Sequence, residues 1–123
     1  MMMIREGAVI MAIIAVVCMS SRGAAQDFRE NPDKGQATYG KQCLQCHGKL
    51  GDGNGPDAKD LIIQPKNFHA PKSREKTDFE FLIAISKGVL FSPMHSWRGG
   101  LTEEDMVDVV NQIRALAPFL AIS

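Results

Sequence analysis

Residues Lys41–Pro56 read KQCLQCHGKLGDGNGP, and this stretch decides how the rest of the chain is understood. Cys43 and Cys46 stand three apart, His47 follows directly, and a glycine-rich loop begins at once. On a helical turn, side chains three apart share a face, so two thiols and an imidazole converge on one small region. The run upstream, NPDKGQATYGKQCLQCH from Asn31, predicts the helix that carries them. Asn31 can cap it, Pro32 suits its first turn and Asp33 lies at the positive end of its dipole. Gly48 stands where that helix should stop.

Two more helices can be read with mechanisms. In TDFEFLIAISKG, Thr77 and Glu80 form a capping box, Phe79, Leu82, Ile83 and Ser86 define the expected buried face, and Gly88 ends the run. In LTEEDMVDVVNQIRALAP, Thr102 caps with Asp105, Met106, Val109, Val110 and Ile113 form one stripe, and Pro118 blocks continuation. Between the first and second helices lies a long stretch rich in Gly, Pro and Asp, with only Leu61–Gln64 resembling an extended piece. A loop of that length in a compact domain needs something to wrap. The expected fold is all-α, a small helical bundle with long loops around a central object.

The full chain has 123 residues, with 14 basic and 14 acidic side chains, so nothing in its charge draws it to nucleic acid. Residues 1–25 are expected to be a signal peptide cut after Ala25, leaving a single domain over 26–123. Arg5 precedes an apolar run from Ala8 to Met19, which falls short of the roughly 20 residues a membrane-spanning helix needs. The alternative is an uncleaved anchor, associating with a membrane through residues 8–19. Loss of Cys18 with this segment leaves Cys43 and Cys46 as the remaining cysteines.

Three chemistries compete for Cys43, Cys46 and His47. A thiol–disulfide site with this spacing normally follows a strand in a βαβ unit, which the pattern lacks. Tetrahedral zinc wants a second ligand pair, and His69 and His95 stand alone and far along the chain. Covalent haem attachment uses every residue: each thiol adds to a vinyl group and the histidine binds iron from below. Export to an extracytoplasmic compartment, the periplasm in bacteria, fits that reading.

Three segments, GQATYGKQCLQCHGKLGDGNGP, KGVLFSPMHSW and LTEEDMVDVVNQIRAL, make the chain resemble the class I c-type cytochromes across residues 33–117. That resemblance implies a helical bundle enclosing one covalently bound haem c, with electron transfer between redox protein partners as its role. It implies a close crossing of first and last helices at Gly35 and Tyr39, although this chain has Gln112 where relatives often carry an aromatic residue. Met94, in a loop after Pro93 and off any packing stripe, is the expected distal iron ligand on both the resemblance and the residues. A proline carbonyl accepting a hydrogen bond from the proximal His47 is also implied, with Pro56 at the matching position and Pro65 as the alternative.

Other residues around such a site are read from type and place. Trp97 is expected at the haem edge, and Leu61, Phe68, Phe81 and Phe91 as pocket walls. His95 is the rival to Met94, and His69 is expected to face solvent or to make a hydrogen bond. Lys72, Arg74 and Lys76 read as a solvated surface, with steering of an acidic partner as the sharper alternative. The competing function is a haem enzyme or a gas- or peroxide-responsive protein whose sixth ligand is displaceable.

Overall fold

The computed structural model describes residues 31–120, so the expected signal peptide or anchor at residues 1–25 lies outside the described residues. Five helices follow in order: α1 Pro32–Gln42, α2 Leu44–His47, α3 Pro71–Arg74, α4 Asp78–Lys87 and α5 Glu103–Leu116. A short 3-10 turn, Ala58–Asp60, sits in the long loop after α2. Among the described residues there is no strand, only an isolated bridge between Arg98 and Leu101. No described helix is long and apolar enough to cross a membrane.

The frame is the crossing of α1 on α5. Gly35 makes it possible, because a Cβ added there would fall inside contact distance of the Asp108 backbone carbonyl. Gln112 therefore does not keep the helices apart; missing bulk on α1 is enough to bring the backbones together. Asp108, only 2% exposed, accepts a hydrogen bond from the Asn31 backbone N–H at 3.0 Å, tying the start of α1 to the middle of α5. Lys34 adds ion pairs to Asp105 at 3.0 Å and Glu104 at 3.3 Å.

The expected stripe on α5 is buried in full: Met106, Val109, Val110 and Ile113 pack with Tyr39, Phe68, Phe81 and Ile85. Full burial of an apolar side chain of this size contributes about 1.5–3 kcal/mol. The capping box on α5 has both arms, Thr102 accepting from the Asp105 N–H and Asp105 accepting from the Thr102 N–H. The same reciprocal box, Thr77 with Glu80, opens α4.

Two local expectations need correction. The first helix does not run unbroken to His47: it ends with Cys43 at φ −116°, ψ −32°, and α2 then begins as a separate turn. The buried face of α4 is Phe81, Ile85 and Ser86, whereas Phe79 is 68% exposed and Ile83 38% exposed. Apolar residues occupy nearly every position from Phe79 to Ile85, so two stripes satisfy the helical period. Packing against Phe68 and α5 selects the one containing Phe81.

Candidate functional site

A cavity of about 380 Å³ opens between the loop after α2, helix α4 and the segment joining α4 to α5. Its size falls in the range that cofactor pockets span. Cys43, Cys46 and His47 line it from the α1–α2 junction, and Met94, His95 and Trp97 line it from the α4–α5 segment. Two thiols, an imidazole and a thioether thus face one largely apolar space, though they come from distant parts of the sequence.

The break at Cys43 still keeps the backbone helical enough to present its neighbours together. The His47 N–H donates to the Cys43 carbonyl at 2.9 Å, so the turn from Cys43 to His47 is closed. The two cysteines are not joined to each other. Burial, with Cys46 nearby, pushes the Cys43 thiol up to about 11. A thiol so rarely ionised is poorly suited to disulfide exchange, where the thiolate is the nucleophile. Burial likewise pushes the His47 imidazole below its ordinary value, which keeps it neutral.

His47 is held on two sides. Its Nδ1 lies 3.4 Å from the Lys66 carbonyl oxygen, and the Phe68 ring stacks on it with centroids 4.7 Å apart and planes 15° from parallel. With the proton on Nδ1, that nitrogen donates to the carbonyl and the Nε2 lone pair is free for a metal. The acceptor is Lys66, so the expectation for Pro56 is corrected. Pro56 is exposed and absent from the cavity wall, while Pro65 lines it without supplying the acceptor. Gly51 and Gly53, at φ 71° and 84°, explain the chain path. A Cβ on Gly51 would meet Phe68 at 2.9 Å and one on Gly53 the Pro65 carbonyl at 2.6 Å, so only glycine lets residues 65–68 fold back onto His47.

The remaining wall residues divide. Leu61, Phe68, Phe81 and Trp97 line the cavity. Phe91 does not: it is 94% exposed, in a turn where its own φ is 58°. His95 is exposed, with Nδ1 3.0 Å from the Ser96 carbonyl and its ring 4.4 Å from that of Trp97. His69 uses Nε2 to contact the Leu50 carbonyl at 2.7 Å. Lys76 borders the cavity, whereas the Arg74 Nε donates to the Pro118 carbonyl at 2.8 Å. Lys66 was the contributor that sequence reasoning missed. A backbone carbonyl carries no side-chain signal, and only the glycines at 51 and 53 hinted at the returning loop.

A family model described as cytochrome C oxidase, cbb3-type, subunit III matches residues 30–113. The chain belongs to this c-type cytochrome family. No curated protein sequence matches the cytochrome. Among solved structures it is similar to a chain of the Kuenenia stuttgartiensis reducing HAO-like protein complex Kustc0457/Kustc0458, with 30% identity and a TM-score of 0.62. The match covers 74% of the cytochrome and 48% of that chain, about half its length.

As a c-type cytochrome, the chain carries one covalently bound haem c with its iron. The cavity fits such a group. Its walls are mostly apolar, it presents a pair of thiols for attachment, and the imidazoles of His47 and His95 and the thioether of Met94 line it as donors of the kind that bind haem iron.

Proposed function

We propose that Cys43 and Cys46 would hold the haem as thioethers, that His47 and Met94 would bind its iron, and that the protein is a one-electron carrier between redox protein partners. The observation that carries this reading is the meeting of Cys43, Cys46 and His47 with Met94 in one apolar cavity. Haem c supplies a one-electron couple at its iron. The chain supplies the setting: His47 is oriented by the Lys66 carbonyl and the Phe68 ring, and apolar side chains such as Phe81 and Ile85 line the site. A thioether is soft and neutral, so Met94 favours the ferrous state and a higher reduction potential than a second histidine would give. With both His47 and Met94 bound, the iron would offer no site to a substrate, which suits electron transfer rather than reaction there.

Residues 26–123 form the carrier domain in this reading, and residues 1–25 direct it out of the cytoplasm, into the periplasm of a bacterium. The family's description names an oxidase subunit and the similar structure is part of a protein complex. Both support a carrier that works against, or within, a larger redox assembly.

The test is the visible spectrum of the ferric protein, made in a host that attaches haem. The weak long-wavelength band of methionine sulfur on ferric haem is expected, and Met94→Ala should abolish it and let the ferrous protein bind carbon monoxide. A wild-type haem protein that lacks the band and takes up carbon monoxide at once supports instead a ligand-responsive haem protein.

A further inference from the structure

The segment from Gly88 to Arg98, which carries Met94, is fastened to the C-terminal end of α4 by contacts that the iron reading does not use. The last carbonyls of a helix have no partner within it. On α4 the Ile85 carbonyl accepts from the Trp97 N–H at 3.0 Å, and the Ser86 carbonyl accepts from the Ser96 hydroxyl at 2.6 Å. The Ser96 Oγ also accepts from the Arg98 N–H at 3.2 Å, and an Arg98 guanidinium N–H donates to the Ser86 hydroxyl at 3.3 Å. The returning segment lies so close that a Cβ on Gly88 would meet the Ser96 nitrogen at 2.7 Å and the Met94 carbonyl oxygen at 2.8 Å. Gly88 also stands at φ 74°, where a side chain adds strain.

We propose that Ser96 and Gly88 form a clasp between the Met94 segment and the end of α4, and that this clasp sets how readily the sixth position on the iron opens. The inference rests on Met94 being that ligand. Ser96 and Gly88 are positioning residues, since neither borders the cavity. Inside the segment a second tie holds Met94 itself: its carbonyl accepts from the Val89 N–H at 2.9 Å and its N–H donates to the Ser92 hydroxyl at 3.2 Å. The segment is therefore stiff within, and the Ser96 and Gly88 contacts are where it can lift as a unit.

The apparent affinity of an external ligand scales with the fraction of molecules already open. Imidazole titrated into the ferric haem protein reads that fraction. Loss of one hydrogen bond corresponds to a few-fold change in an equilibrium, so Ser96→Ala should bind imidazole about fivefold more tightly than wild type. Ser96→Thr should return it to near wild type, and Gly88→Ala should exceed Ser96→Ala, by roughly tenfold over wild type.

Thr102→Ala is the control. It removes the α5 capping box, so it should lower the unfolding temperature while leaving imidazole affinity unchanged. Wild-type affinity in Ser96→Ala and Gly88→Ala, with the methionine band present, overturns the clasp alone. A wild-type protein without the methionine band overturns both the clasp and the ligand reading beneath it.

Discussion

Gly35→Ala tests the helix crossing that frames the site. The added methyl group falls on the Asp108 carbonyl, a backbone atom that cannot rotate away, so α1 and α5 must separate. Overpacking of this kind costs about 1–3 kcal/mol. Separation also strains the hydrogen bond between the Asn31 N–H and Asp108, which contributes about 1 kcal/mol. Against this stands the better helix propensity of alanine, about 1 kcal/mol. The collision wins, with a net loss of about 2 kcal/mol, or roughly 10 °C in unfolding temperature for a domain of this size. Gly40 is on the same helix with nothing within 4 Å of an added Cβ. Gly40→Ala should therefore raise the unfolding temperature by about 5 °C. The assay is thermal unfolding of the two haem-loaded variants, followed by far-ultraviolet circular dichroism. Equal stability in Gly35→Ala and wild type, or an equal loss in both variants, would refute the reasoning.

Further outcomes follow from charges beside the helices. Hydrogen bonds from the Thr102 backbone and side chain, then the Lys34 ammonium, hold the Asp105 carboxyl at about 2, below its ordinary 3.8. Because the folded value is depressed, its contribution is complete above pH of about 4 and fades as pH falls through about 2. Asp105→Asn should remove about 1 kcal/mol of stability at neutral pH and flatten that part of the acid-unfolding curve, measured by urea titration at several pH values. Arg114 donates through Nε to Asp78 at 2.6 Å and through Nη2 to the Lys76 carbonyl, while its guanidinium lies 4.9 Å from the Phe81 ring centroid and 5.3 Å from that of Phe119. Arg114→Ala should cost about 2 kcal/mol in urea unfolding, and Arg114→Lys should not restore it, because an ammonium cannot form the fork or stack on the rings.

The parts of the fold legible in the sequence were those encoded by short-range chemistry. Thr77 with Glu80 and Thr102 with Asp105 announce their helix starts within four residues, and Met106, Val109, Val110 and Ile113 leave α5 only one apolar face. The cluster at Cys43 and His47 was visible for the same reason. The face of α4 was not, since its apolar residues run almost without interruption and the choice depends on Phe68, which arrives from a distant loop. Lys66 was hidden too, because its contribution is a carbonyl whose position depends on the path allowed by Gly51 and Gly53. Pro56 stood nearer His47 in sequence, but nearness along a glycine-rich chain says little about where its carbonyls end up.

The crossing of α1 on α5 also bears on the order in which the molecule is assembled. The hydrogen bond between Asn31 and Asp108 joins residues 77 apart in sequence, and the buried face of α1 has its main partner in the last helix. A chain that has not yet supplied α5 cannot close this frame, and contacts of such long range carry a loop-closure cost that slows their formation. The two thiols at the end of α1 therefore stay accessible in the growing chain. Cofactor attachment can then come before closure, with the arrival of α5 sealing a site whose contents are already in place.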